Sequence, residues 1–502
     1  MPSSNTNSIF PFKSYTTYII FNKLFDEALM SNWLFLSSSF VKIILFGILI
    51  LTLNFISFTN KFSYFYDSVK NVKALSPKYP EVALPSNEGP VIVDPYLRAE
   101  LLSTGLKYPT SMAFLGLNDI LVTEKDAGTV RRIVNGTELQ QPLLNTSVAT
   151  YGHRGMLGIA VASHTSSIPA ISTNREHPNN ITTYVFLYYT QTIHTGDDIT
   201  EAKQPLGNRV YRYELIDNKL VNPKLLLSLP ATPGAIGNGG KVIVGPDSNV
   251  YVTIGDIGIN GHNTEAQNFQ NGSEPDGTSG ILRVTQDGQP VLPGILGNNY
   301  PLNLYYSYGI WNSFGITFDP ITRILWDTQI GLPYGDEINR VDPGFNSGYG
   351  KIDGIWLRGH DIAQAEKQFV APLHPNGLVD FSGRGKYHLR QFTWFNKVVP
   401  TGIAILDSNK LGSLYRNDLF VADDLNGIIY HFRLNHPRTG LLLPPGPLAD
   451  GIANSNDSLT PIIFGKGFGG ITDLEVNPYD GYLYVLAFDQ GAIYRIVPVT
   501  TK

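Results

Sequence analysis

Asp336 and Glu337 form the acidic pair that acid–base chemistry would need, yet their adjacency argues against it. Neighbours on a strand face opposite sides, so the two carboxylates cannot work as a dyad from one element. Each is instead a candidate calcium or loop ligand, or a hydrogen-bond partner, together with Asn339, of the glycine-rich exit DPGFNSGYG. His153 and Arg154, in YGHRGMLG, are candidates for a polar pocket, with a simple turn as the alternative. Asp256 ends the run VYVTIGD and reads as an acceptor of loop N–H groups. His262, His360, His374 and His388 show no metal-ligand spacing, so no zinc motif is present. Tyr305, Tyr306, Tyr308 and Trp311 make an aromatic group suited either to packing between sheets or to stacking on a sugar ring.

Other chemistries are excluded more simply. The chain has no cysteine, so disulfides, thiolate metal sites and cysteine nucleophiles are absent. It has no G-x-S-x-G elbow, P-loop or dinucleotide fingerprint. Lysine and arginine total 37 against 42 acidic residues, a formal charge of −5 with no basic run, which argues against a nucleic-acid partner.

The elements that must position these residues are strands. With 49 glycines, 33 prolines, 27 tyrosines and 26 phenylalanines, the composition favours short strands and many turns. A pair of period-2 strands around an Asp, Asn or Gly turn recurs six times, starting near Phe114, Tyr184, Val244, Phe318, Leu414 and Val476. Six uneven copies predict an all-β, six-bladed β-propeller over residues 96–502, with inserts at 160–183, 257–279 and 352–398 around one face. The stretch Tyr305 to Gly350 reads as a single blade with its pocket loop.

Ahead of the propeller, residues 1–32 are polar, and residues 33–58, WLFLSSSFVKIILFGILILTLNFISF, are long enough for a transmembrane anchor helix. A signal sequence and a buried helix are the alternatives. Residues 59–95 read as a linker. The lysines that follow the apolar segment would put the C-terminal side in the cytoplasm, whereas five sequons, at Asn135, Asn145, Asn180, Asn271 and Asn456, fit an extracytoplasmic domain on a single-pass membrane protein.

Seven collinear strings resemble the soluble quinoprotein glucose and sorbosone dehydrogenase family. They are YPTSMAFLGLNDILVTEKDAGTVRRI, YGHRGMLGIAV, NGGKVIVGPDSNVYVTIGD, GTSGILRVTQDG, YGIWNSFGITFDP, YGDEINRVDPGFNSGYG and FGGITDLEVNPYDGYLYVLAFDQGAIYRI. The resemblance implies pyrroloquinoline quinone (PQQ) and calcium at the central face, a sugar or polyol substrate, and a histidine that takes the hydroxyl proton during hydride transfer to the quinone.

Several positions depart from that pattern. The histidine's position is Gly237, leaving His153 and His262 as candidate bases. Trp311 stands where the family has an arginine, beside the retained cofactor-contacting Asn312. Gly331 and Leu332 keep the two backbone carbonyls that the family offers to calcium. The family's lysine and arginine pair fall at Leu425, Gly470 and Thr472, so Arg154, Lys241 or Lys466 would have to supply the cations. Two readings follow: a sugar dehydrogenase passing electrons to an unidentified acceptor, or a non-catalytic propeller binding a carbohydrate or protein.

Overall fold

The computed structural model describes residues 89–165, 181–194, 205–258, 263–332, 334–358, 370–373 and 375–499. All belong to the unit Pro85–Lys502. The expected anchor, the polar segment before it, and the histidines His262, His360 and His374 lie outside the described residues.

The turns show how the sequence makes strands. Asn135 and Gly136 both take positive φ, 51° and 76°, and join Thr129–Val134 to Thr137–Glu138 with Val134 opposite Thr137. Asp217 and Asn218, at 48° and 59°, do the same between Gly207–Ile216 and Lys219–Leu229. These are two-residue turns whose twist matches that of the flanking strands.

Among the described residues the strands form six sheets of four to six strands and one short hairpin, Ile352–Asp353 with Trp356–Leu357. In chain order the sheets begin at the strands Pro109–Gly116, Met156–Thr165, Val242–Val244, Ser313–Phe318, Pro400–Ile405 and Ile471–Val476. Each of these inner strands, or its hairpin partner, packs on the next, and the last returns to the first. Apolar clusters fill the spaces between consecutive sheets: Leu121, Val148 and Leu187 lie between the first and second, and Trp326, Trp394 and Phe432 between the fourth and fifth. Leu97–Ser103 pairs with Ala492–Pro498, so the start of the domain completes the last sheet and leaves no open seam. The architecture is an all-β propeller.

Inner strands approach closely because glycine permits it. A Cβ on Gly315 would lie 2.0 Å from the Thr401 carbonyl of the next sheet.

The stretch Tyr305 to Gly350 is divided between two sheets. Tyr305–Tyr308 pairs with Gly280–Val284 in the third sheet, Ser313–Phe318 opens the fourth, and Phe345–Asn346 returns to the third. The domain also begins before residue 96, since the β-branched pair Val91–Ile92 adds to Ile463–Lys466. The expected inserts contain short strands of their own, including Lys386–Tyr387 and Phe392–Trp394.

In the fourth sheet both carboxylate oxygens of Asp327 are buried without a hydrogen-bond partner among the described residues. Burial pushes its pKa up to about 7, with Asn339 pulling the other way. A carboxyl group whose folded pKa is raised favours the fold at low pH, and that contribution is lost as pH climbs from the ordinary value near 3.8 toward 7. Asp327→Asn is therefore expected to raise the unfolding free energy at pH 8 by about 1–3 kcal/mol, the typical cost of an unsatisfied buried group, and to flatten its pH dependence. Urea unfolding at pH 5.5 and pH 8 checks this, and equal or lower stability of the variant at pH 8 would contradict it.

Candidate functional site

The loop before the third inner strand carries Gly237, at φ +78°. Its carbonyl accepts the Gly255 N–H at 2.9 Å, while Asp256 N–H donates to the Trp311 carbonyl at 2.7 Å. Asn312 Oδ1 accepts the Gly239 N–H at 3.0 Å. These bonds bind the loops of the third and fourth sheets into one surface.

His153 is seated on that surface. Its backbone N–H donates to the Ala235 carbonyl, its Nδ1 lies 3.4 Å from the Gly237 backbone nitrogen and 3.5 Å from Asn312 Nδ2, and its ring meets Phe314 edge-on. With two donors facing Nδ1, the neutral tautomer carries its proton on Nε2. Burial, reinforced by Lys125 and Lys397, lowers its pKa to about 4, so it is neutral at physiological pH and a weak base. The candidate base thus stands against Gly237, where the sequence reading expected the family's histidine.

Arg154 points elsewhere: its Nη2 donates to the carbonyls of Ala231 at 2.6 Å and Gly234 at 3.0 Å. Lys241 is also withdrawn from the expected cofactor role. Its ammonium bonds Asp473 and Glu475, each at 2.6 Å. Asp256 accepts the Gly258 N–H at 2.7 Å, as a loop cap would, and the Tyr349 hydroxyl at 2.8 Å. Asp336 and Glu337 do diverge. Asp336 accepts N–H groups from Gly331, Val398 and Val399 at 2.7–2.9 Å, and Glu337 accepts Gly354 N–H, Asn339 and Ser347 of the glycine-rich exit. Tyr305 bonds Thr278 and Gly277, Tyr306 packs on Tyr251, and Tyr308 reaches the Val379 carbonyl, so all three are packing residues. Trp311 is buried beside Ile330 and Tyr349, with its indole N–H unpaired among the described residues. His388 stacks on Phe345.

Three residues that sequence reasoning missed complete the site. Lys397 donates to the Gly331 carbonyl at 2.9 Å and lies 5.4 Å from the Trp311 ring centroid. Burial holds its pKa below the usual lysine value, against the pull of Asp336 and Asp353. Asp353, 3.1 Å from Arg358 Nε, has its pKa raised to about 7 by burial, opposed by Arg358 and Lys397. Arg358 also lies over the Tyr349 ring at 4.5 Å. The only local hint was a lysine shortly before an inner strand, since Lys397 precedes Pro400–Ile405 much as Lys241 precedes Val242–Val244.

The described residues suit neither group that the family implies. A tricarboxylate quinone needs cations, and Lys397, Arg358 and Arg154 are already bonded to the protein. Leu425, expected from the sequence at the family's lysine position, is 46% exposed, and Gly470 sits between Asp424 and Asp489, which add negative charge. Thr472 is turned to the Pro109 carbonyl. For calcium, the Gly331 carbonyl is taken by an ammonium, and no group of three acidic or histidine ligands exists among the described residues.

The fold and this loop face define a propeller with a polar face in which neutral His153 and Asn312 lie among the charged Lys397, Asp353 and Arg358. Residues 106–423 match the model of the glucose/sorbosone dehydrogenase family, and the chain belongs to that family. It is 26% identical over 277 residues to quinoprotein glucose dehydrogenase B of Acinetobacter calcoaceticus, covering 51% of this chain and 52% of that protein. It is 23% identical over 416 residues to the aldose sugar dehydrogenase YliI of Escherichia coli, covering 80% and 93%. A PQQ-bound aldose sugar dehydrogenase from Streptomyces coelicolor shares the fold at a TM-score of 0.53 and 20% identity, covering 80% of this chain and 98% of the other. Sugar oxidation is the general activity of the family.

Proposed function

We propose that this chain is a carbohydrate-binding propeller, in which each of the six sheets is one blade and the central face takes a neutral sugar or polyol without oxidising it through a quinone. The observation that carries this reading is that the cations Lys397, Arg358 and Arg154 are each bonded to a protein group, which leaves the uncharged His153 imidazole at the Gly237 loop to meet a ligand. Hydroxyl groups are served by such neutral donors and acceptors, and the Phe314 ring beside His153 offers a face to sugar C–H groups. A single-pass anchor with the propeller outside the cytoplasm accompanies this proposal, supported by the exposure of Asn135, Asn145 and Asn271 in their sequons.

Calorimetry of the full-length chain against an aldose and polyol panel tests the reading. Saturable binding is expected, weakened about tenfold in His153→Ala, which corresponds to about 1.4 kcal/mol or one good hydrogen bond. With the His153 pKa lowered to about 4, affinity should stay level from pH 5.5 to 8 and fall only as the pH approaches 4. The second reading, a quinone-dependent dehydrogenase, is favoured by the position of His153 against Gly237. Dye reduction that depends on added PQQ and sugar would establish it and remove the first.

A further inference from the structure

We propose that the Lys397 ammonium is a resident substitute for the divalent cation at the Gly331–Leu332 seat, which makes that seat independent of calcium. Lys397 Nζ is 2.9 Å from the Gly331 carbonyl oxygen, so the ammonium takes up one of the two oxygens that a metal would use. A calcium ion about 2.3–2.6 Å from that oxygen would have to share it with the lysine's charge, a like-charge arrangement that opposes binding. The nearby carboxylates are committed to other groups, Asp336 through both oxygens to the backbone N–H groups of Gly331, Val398 and Val399, and Asp353 to the charge of Arg358 at 3.1 Å.

The same geometry gives the Trp311 departure a physical meaning. An arginine at 311 would set a second positive charge against Lys397. The indole instead presents a π surface, with the ammonium 5.4 Å from the ring centroid, an arrangement that favours a cation. The lysine at 397 and the tryptophan at 311 are therefore complementary. Together they hold a single positive charge where the family pattern implies a metal and an arginine. The inference needs no sugar and no turnover, so it stands or falls separately from the carbohydrate reading.

Terbium, which occupies calcium sites and luminesces when excited through a nearby tryptophan, is the probe for EGTA-treated full-length protein. The wild type is expected to give no saturable, calcium-competed signal and no change in melting temperature between calcium and EGTA. Lys397→Ala and the closer-sized Lys397→Met are each expected to gain a saturable signal that calcium competes away and Trp311→Phe abolishes. A calcium-competed, Trp311-dependent signal in the wild type would overturn the proposal, and that measurement is decisive even if both variants fail to fold. Folded variants that gain no signal would overturn it as well, because the carbonyls would then be no cation seat.

Discussion

Lys241→Met is expected to lower the unfolding free energy by about 3–5 kcal/mol, the usual consequence of removing one partner from a buried ion pair. The Lys241 side chain is 5% exposed and that of Asp473 is 2% exposed, so neither charge can fall back on water. Asp473 also accepts the Ser111 hydroxyl and the Met112 N–H, each at 2.9 Å. One carboxylate thereby ties together residues at the inner strands of the third, sixth and first sheets. Removing the ammonium leaves Asp473 held only by neutral donors, and Glu475, 32% exposed, can turn partly to solvent. The loss should therefore reside mainly in Asp473, and Lys241→Met with Asp473→Asn should recover part of the stability lost by the single variant. Burial alone would lower the Lys241 pKa, but Asp473 and Glu475 outweigh it and raise it, so the charge persists far into the alkaline range. The stabilisation should accordingly be independent of lysine titration between pH 6 and 9. Urea unfolding of both variants reads it, and a single-variant loss below about 1 kcal/mol would show that the ion pair does not hold the ring.

That lysine also shows where sequence reading stops. The hairpin turns, such as Asn135–Gly136, are local chemistry, and each of the six recurring strand pairs falls in its own sheet. The motif strings likewise identified the family without any knowledge of contacts. Partners were a different matter, because Lys241 and Asp473 are 232 positions apart and Arg154 and Ala231 are 77 apart. A cation's availability depends on what the fold brings against it, and spacing in the chain says nothing of that. The same limit explains why the sequence groups Tyr305–Tyr308 with the strands that follow it. An apolar aromatic run announces a strand, but it does not say which edge it joins, and here the upstream Gly280–Val284 takes it. Lys397 lay unnoticed because its partners, Gly331 and Trp311, meet it only after the fourth and fifth sheets pack.

Gly237→His, which would place a histidine where the family resemblance leads one to expect it, is expected to damage the protein. A Cβ at 237 would sit 2.0 Å from the Asp256 carbonyl oxygen and 2.7 Å from its carbon, both backbone atoms that cannot rotate away. The residue also has φ +78°, a left-handed conformation that costs a side-chain-bearing residue about 1–2 kcal/mol. Forced overpacking adds about 1–3 kcal/mol. The new imidazole would in addition compete for the space of His153, whose Nδ1 is 3.4 Å from the Gly237 nitrogen. Gly237→Ala should lose nearly as much stability as Gly237→His, since the penalty begins at Cβ, and thermal unfolding of the two variants separates backbone strain from the effect of the ring. On the carbohydrate-binding reading, dye reduction with added PQQ, calcium and glucose should remain absent in both, because Lys397 would still hold the Gly331 carbonyl. A Gly237→His variant that melts with the wild type and turns over sugar would mean that the loop relaxes freely and that only the base was lost. If it instead loses stability and stays inactive, the glycine belongs to a rebuilt surface in which backbone path, base and cations changed together, and no single reversion leads back.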